Sequence, residues 1–348
     1  MAELRSRRRI AVGPQTVLQS TAWGEFQHRV DRSVRSLTGD GWRALVVEED
    51  TLVGTCWYVP YGPVAEGPAQ LAAALRSLRE AAREAGAGWL RVEPILDVVR
   101  GPAAMGPGEA SQVLGRSRAV AAPRDIQPRR SRWIDVSRSE EEILKDMTGT
   151  NRNLWRRHRD KDLSITVSSD PEEVEVLIDL LELSAQRNGF RAHDAGYLRE
   201  AARTLLPRGA AAVYVTRHRG EPVCALMVYD SPSTRIFAHS AMKDGQRKLR
   251  PNQPMVVQAV LDAADRGQEI ADLFGIAPTD SPEHPWAGFS DFKRSFGGYD
   301  VNLTGTWDIS VTAWRYRLYL GLRRARRLWG AAAERLHGFS GIGRRQGA

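Results

Sequence analysis

Cysteine is scarce: Cys56 and Cys224 are the only two in 348 residues. They lie far apart in apolar, strand-like contexts, TCWYV and VCALMV. A disulfide framework is excluded, and no CxxC spacing offers a structural metal site. The seven histidines are scattered singly, with no HExxH or similar pairing, so no metal is expected. No run reaches the ~18 uninterrupted apolar residues of a membrane span. The N-terminal MAELRSRRRIAVG is basic but lacks the apolar stretch of a secretion signal, so a cytoplasmic protein is expected. One further shortage is local. Residues 311–348 contain nine arginines, one glutamate and no lysine. That segment carries the whole formal charge of +8, and the rest sums to zero. The basic signal therefore belongs to the tail.

What is present is ordinary for a soluble globular chain: 42% hydrophobic and 26% charged residues. The length allows two domains of ~150 residues each. In the first half WRALVVEED, LVGTCWYVPYGPV and GWLRVEPIL read as strands. AQLAAALRSLREAAREAG between them is an amphipathic helix stopped by Gly86. Gly101 to Gly115 reads as a long loop and a short helical turn. RSRWIDVS opens a second unit. Ser137 or Ser139 can cap the helix EEEILKDMT, and TNRNLWRRHRDKD continues as a basic helix. After the strand LSITVSS, Asp170 and Pro171 start the helix PEEVEVLIDLLELSAQRNG. Three strands follow (AAVYVTRHRG, EPVCALMVYD, TRIFAHSAM), then the helix PNQPMVVQAVLDAADRG and the buried strand EIADLFGI. VNLTGTWDIS is expected as one strand, and the tail as a helix. The fold class is α+β, and the mixed order suits an N-acetyltransferase-like sheet used twice.

One stretch raises a chemical question. WAGFSDFKRSFGGYDVNLTG sets Lys293 beside Phe292, with Phe289 and Phe296 close by and glycines around them. It reads either as an amphipathic helix with a solvated Lys-Arg pair or as a pocket that fixes a cation.

Several pieces together carry a resemblance: LQSTAWGEF, YVPYGPV, WLRVEP, TNRNLWRRH, RNGF, DLFGI and GFSDFKRSFGG, in that order. The chain resembles the Fem-type aminoacyltransferases, which extend the peptide branches of peptidoglycan precursors using aminoacyl-tRNA. The resemblance implies two tandem acetyltransferase-like (GNAT-like) domains. The first spans residues 1–129 and is joined by the C-terminal segment 306–348. The second spans 130–305 and faces the aminoacyl-tRNA. It implies an aminoacyl-tRNA donor, a peptidoglycan precursor as acceptor and no cofactor, and it places Phe292-Lys293 toward the aminoacyl end. There are departures. Gln27 stands where many members carry a lysine, Glu93 replaces an aspartate before proline, and no long coiled-coil arm is inserted.

The reaction implied is amine attack on an activated ester. It needs alignment and a group that stabilises the oxyanion. Lys293 suits that role, and the glycines would let an RNA backbone approach. Phe292 holds the lysine or simply packs in the core. Asp272 meets the attacking ammonium, orients Lys293, or is a strand-end residue that caps a turn. Glu93 is a general base or a surface residue. Arg187 binds acceptor phosphate or complements a helix end. Arg152, Arg156 and Arg157 share a helix face suited to phosphates, or a solvated one. Tyr61 and Gly62 line an acceptor cleft or form a plain turn. In the tail, Trp314, Leu318, Leu322, Ala325 and Trp329 form a stripe expected to dock on the body. Arg323, Arg324, Arg326 and Arg327 then face out toward RNA or an anionic membrane. Other readings are an acyl-CoA N-acyltransferase, though DGQRKLRPNQPM lacks the glycine pair of a pyrophosphate loop, a non-catalytic RNA- or membrane-binding protein, and transfer to a small-peptide or antibiotic precursor.

Overall fold

The computed structural model describes residues 15–96, 108–188 and 193–339. The N-terminal basic stretch, residues 101–107 of the expected loop and Gly189-Phe190 of RNGF lie outside the described residues.

The first unit runs α1 (Thr21–Arg29), β1 (Val34–Gly39), β2 (Trp42–Thr51), β3 (Gly54–Val59), β4 (Val64–Ala65), α2 (Pro68–Glu84), β5 (Trp89–Val92), α3 (Glu109–Arg116) and β6 (Val120–Ala121). Helix α2 begins with Pro68 in its first turn and buries Leu71, Leu75 and Leu78 along one face. Gly86, in the left-handed region at φ +72°, ends it.

The second unit runs β7 (Arg130–Asp135), α4 (Glu140–Asp146), α5 (Gly149–Arg156), β8 (Leu163–Ser168), α6 (Val174–Asn188), α7 (Ala195–Leu205), β9 (Ala211–His218), β10 (Glu221–Asp230), β11 (Thr234–Met242), α8 (Asn252–Asp265), β12 (Ile270–Gly275), α9 (Ala287–Arg294) and β13 (Tyr299–Asn302). Ser139 closes a capping box with Glu142 at the start of α4. The expected basic helix is shorter than its sequence suggested. Thr148 caps α5, which stops at Arg156, and only a 3-10 turn follows.

The stretch VNLTGTWDIS is not one strand. After β13 the chain turns through Gly305, at φ +77°, and continues as β14 (Trp307–Ser310) and α10 (Ala313–Phe339). The two strands belong to different sheets. The first sheet has the order β1-β2-β3-β5-β14-β6, with β4 on β2; the second is β13-β7-β12-β11-β10-β9-β8. Strand β14 thus enters the first sheet between two N-terminal strands. Arg91 on β5 and Asp308 on β14 lock it there, with Nε to Oδ1 at 2.7 Å and Nη2 to Oδ2 at 2.8 Å.

The two units share apolar contacts. Trp23, Phe26, Tyr61 and Ile95 pack in one continuous core with Trp133, Leu198 and Tyr229. Phe26 and Tyr197 meet edge to face at 4.8 Å, joining α1 to α7. The seam between the sheets is therefore a packed surface with a fixed geometry.

Candidate active site

The site grows from an irregularity in β12. Its apolar residues Ile270, Ala271 and Leu273 are core. It pairs in parallel with β11 over three residues only, from Thr234↔Ile270 to Ile236↔Asp272. Beyond that point β12 leaves β11, and its register on β7 shifts between Asp272 and Gly275. Phe274 takes a left-handed φ of 68° to make the bend. Asp272 stabilises it: its carboxylate accepts from Phe274 N at 2.7 Å and from the Ser131 hydroxyl. Where parallel strands part at their carboxyl ends is where α/β sheets commonly hold ligands, in a crevice outside the strand ends.

Lys293 sits on this bend. Its Nζ donates to the carbonyls of Phe274 at 3.1 Å and Gly275 at 2.7 Å, and lies 4.1 Å from the Phe289 ring centroid. The residue is 8% exposed. Burial pushes its pKa down to about 7, and the charge of Asp272 opposes that shift. Burial raises the Asp272 carboxyl, while bonds from Ser131 and Phe274 and the charge of Lys293 pull it back. An ammonium has three donors. Two are held by the carbonyls, and the third has no hydrogen-bond acceptor among the described residues. Of the alternatives read for this stretch, the solvated lysine is overturned. Asp272 is buried, caps the turn at the end of β12 as one of its readings had it, and acts on Lys293 by charge.

Helix α9 is fixed from below by the TNRN stretch. Thr148 N donates to Ser295 O at 2.9 Å, and Asn151 Nδ2 reaches Ser295 O at 3.0 Å and Oγ at 2.8 Å. Ala277 N donates to Ser290 Oγ at 2.9 Å. Phe296 is fully buried and meets half-buried Phe292 edge to face at 5.1 Å, so Phe292 packs beneath the lysine. Two of the glycines have a packing task. Gly297 and Gly298 take φ +79° and +80°, and a Cβ on Gly298 would lie 2.1 Å from Trp133 O. They let protein backbone approach protein backbone.

Across the seam, Glu93 is buried and serves as an acceptor hub. It receives Tyr58 Oη at 2.7 Å, Gln127 N at 2.9 Å, Thr306 Oγ1 at 2.5 Å and Tyr61 N at 3.4 Å. Burial raises its pKa, and these bonds oppose the rise. The alternative of a surface residue is overturned. Tyr61, at φ 47°, is buried, and its hydroxyl has no partner among the described residues. Its pKa is pushed up by burial and then by the charges of Asp272 and Glu93. Gly62 follows in a cis Gly62–Pro63 bond, and a Cβ there would meet Gln19 at 2.8 Å. Glu93, Tyr61 and Pro128 line one small enclosed gap, and Pro128 abuts Gly275, the residue that holds Lys293. This packing links the Glu93 side to the strand end that holds Lys293.

Other expected residues lie elsewhere. Arg187, at the end of α6, pairs with Asp244 at 3.0 Å, just past β11 and at the same end of the second sheet as Lys293. The expected phosphate face of α5 is corrected. Arg152 Nη1 donates to the carbonyls of Met147, Lys145 and Leu144, capping the end of α4, and Arg157 pairs with Asp160. Only Arg156 is exposed without such a partner among the described residues. Gln27 is buried, and its oxygen accepts from Arg32 at 3.1 Å.

The tail is also corrected. Helix α10 rests on the body through Tyr316 and Tyr319, not through the expected stripe. Tyr319 stacks on Trp89 at 4.4 Å and accepts from Arg91, while Tyr316 donates to Asp308 at 3.1 Å. Trp314, Leu318, Leu322 and Ala325 are exposed. Arg324 and Arg326 are exposed too, and Arg323 donates to Tyr319 Oη at 3.0 Å. The side chains of Arg327 and Trp329 lie outside the described residues. A cleft of about 1060 Å³ separates the β2–β3 hairpin from α10, with Arg124, Arg323, Arg324 and Arg326 on its walls.

Sequence reading missed Ser131, Asn151, Ser290 and Ser295, because single short polar residues carry no periodic signal. It also missed that His193 and His239 meet edge to face at 4.6 Å, with His239 against Tyr229 Oη at 3.1 Å. No cluster of three or more potential metal ligands occurs among the described residues.

Comparisons with known proteins bear on the fold. Residues 146–294 match the acetyltransferase (GNAT) domain family. The lipid II:glycine glycyltransferase of Staphylococcus saprophyticus is 24% identical over 227 residues, covering 60% of this chain and 52% of that protein. The chain thus spans about half the length of that curated relative. The crystal structure of FemX superposes with a TM-score of 0.76 at 17% identity, covering 88% of this chain and 94% of the other. The L-PGS of Bacillus licheniformis superposes at 0.54 with 12% identity, covering 88% and 94%. The fold is that of tandem acetyltransferase-like domains, and the Fem-type resemblance drawn from the sequence is borne out.

Proposed function

We propose that this protein is an aminoacyltransferase. It adds an amino acid from aminoacyl-tRNA to the stem peptide of a peptidoglycan precursor, carried on a nucleotide or on a lipid. The observation that carries this reading is the buried ammonium of Lys293, held by two carbonyls at the end of β12 where the sheet opens. The similarity to a lipid II:glycine glycyltransferase supports the choice of acceptor.

In this reading a neutral amine of the acceptor attacks the carbonyl carbon of the aminoacyl ester. The carbonyl π electrons move to oxygen, and the free N–H of Lys293 meets that oxyanion. The tetrahedral adduct collapses, the C–O bond to the terminal ribose breaks, and the amine proton passes to the ribose hydroxyl that leaves. The ester is already activated, so alignment and one preorganised donor account for the catalysis. Asp272 and Ser131 keep the carbonyl platform in place. Tyr61 and Glu93 shape the acceptor side, and Arg187 and Arg156 supply cations for its phosphates. Peripheral contact with an anionic membrane belongs to the lipid-linked case.

The test is a transfer assay with a pool of labelled aminoacyl-tRNAs and both precursor forms. Label should move to the peptide, RNase should abolish the transfer, and the product should name the amino acid. Absence of transfer from every charged tRNA to either acceptor overturns the reading. Transfer from acyl-CoA, or to a small peptide instead, replaces it.

A further inference from the structure

Helix α10 carries more than its dock requires. It is 27 residues long, roughly 40 Å. At 3.6 residues per turn, Tyr316, Tyr319 and Arg323 share the face against the body. Trp314, Leu318, Leu322 and Ala325 fall on the opposite face. Trp314 is 62% exposed, Leu318 46% and Leu322 39%. Arg317 and Arg324 flank this face on one side and Arg326 on the other, while Arg315 turns to the body and donates to Gly86 O at 2.8 Å. Trp314, Leu318 and Ala325 point away from the protein, and Leu322 lines the cleft beside them with Arg324 and Arg326. Apolar side chains bordered by cations match the layering of a lipid headgroup region. No helix among the described residues is long and apolar enough to cross a membrane, so the contact is in-plane. Leu52, 77% exposed at the tip of the β2–β3 hairpin, stands across the arginine-lined cleft from the same helix.

We infer that α10 lies in the surface of an anionic bilayer, with Trp314, Leu318 and Leu322 among the headgroups and the flanking arginines on lipid phosphates. RNA would use the arginines and can stack a base on Trp314, but it offers no aliphatic surface to cover Leu318 and Leu322. The inference deepens the membrane contact of the proposed function, but it does not depend on the transfer chemistry, because vesicle binding and transfer are measured separately.

The test is co-flotation of the full chain with vesicles of phosphatidylcholine alone or with a quarter phosphatidylglycerol. Binding is expected to the anionic vesicles only, and to weaken with salt. A basic side chain near an anionic surface is worth about fivefold, so R317Q/R324Q/R326Q should lower binding on the order of a hundredfold. W314S/L318S/L322S should lower it at least tenfold. Brominated lipid should quench tryptophan emission in the wild type, and W314F should remove most of that quenching. W314F is a mild change and guards against misfolding of the triple variants. Equal binding to neutral and anionic vesicles, or no loss in the apolar variant, overturns the inference. It also falls if the arginine variant loses tRNA affinity while vesicle binding is unchanged, which would assign the surface to RNA.

Discussion

Arg91 and Asp308 form a two-pronged ion pair inside the first sheet, where their side chains are 5% and 0% exposed. Burial alone would disfavour the Arg91 cation, and the hydrogen bonds and charge of Asp308 more than offset it. Removing one partner strands the other in the interior, at a cost of about 3–5 kcal/mol. Asp308→Asn is therefore expected to lose stability on that scale in urea unfolding, and Arg91→Met with Asp308→Leu together to lose less than Asp308→Asn. A double variant no better than the single one would show that strand pairing, not the charge pair, carries the stability.

Lys293→Met removes the donor at the carbonyl platform. Loss of a single such donor costs about 10²–10³ in rate. The expected outcome is that fall in kcat with a normal tRNA Kd. Lys293→Arg should not rescue it, since a planar guanidinium does not fit a site shaped for an ammonium between two carbonyls. An unchanged kcat in Lys293→Met would remove the lysine from the mechanism.

The same lysine sets a pH signature in stability. Its pKa is about 7 in the folded chain and near 10.4 when unfolded. Below pH 7 both states hold the proton, and the folded state bears the full burial cost. Between these values the unfolded state binds more protons, so folding becomes relatively more favourable as pH rises. The unfolding free energy of the wild type, minus that of Lys293→Met, is expected to grow by up to ~1.4 kcal/mol per pH unit from pH 7 to 10. Guanidinium unfolding at several pH values measures it. A flat difference would mean the lysine keeps an ordinary pKa.

Asn151 does not reach the crevice, yet it ties α5 to Ser295 at the end of α9. Asn151→Ala is expected to cost about 1–3 kcal/mol, because Ser295 O is left partly unpaired in the interior. Because α9 carries Lys293, kcat should fall by more than KM rises. Asn151→Asp should restore neither, as it offers no N–H. A variant with lowered melting temperature and full kcat would limit Asn151 to a structural role.

Gly298 leaves no room for a side chain. Gly298→Ala would set a methyl against Trp133 O at a positive φ, and it should be among the most damaging single substitutions, above ~3 kcal/mol. Gly220, also at positive φ but with nothing within 4 Å, is the control, and Gly220→Ala should cost about 1 kcal/mol. Thermal melts of the two variants test the contrast.

The regular parts of the fold were legible because they obey a period. The leucines of α2, the capping box of α4 and the apolar run of β12 each announce themselves. Helix α1 was passed over because it is nine residues long with Gly24 inside it. The burial of Glu93, Asp272 and Lys293 was not legible, since charged residues are rarely buried and their partners come from distant segments. The reversed docking of α10 has a definite cause. Apolar periodicity selects Trp314, Leu318 and Leu322, whereas the body uses Tyr316 and Tyr319, whose rings pack while their hydroxyls meet Asp308 and Arg91. A hydrophobicity pattern does not register a face built from rings with polar tips.

The placement of β14 also sets an order of events during synthesis. Arg91 must wait for Asp308, which lies 217 residues further along the chain. At about 5–20 residues per second, β5 leaves the ribosome some tens of seconds before its neighbour exists. For that interval the nascent first domain exposes an open strand edge and an unpaired arginine. The second domain is complete in sequence before the first can close, so the part of the protein made first is the last to become native.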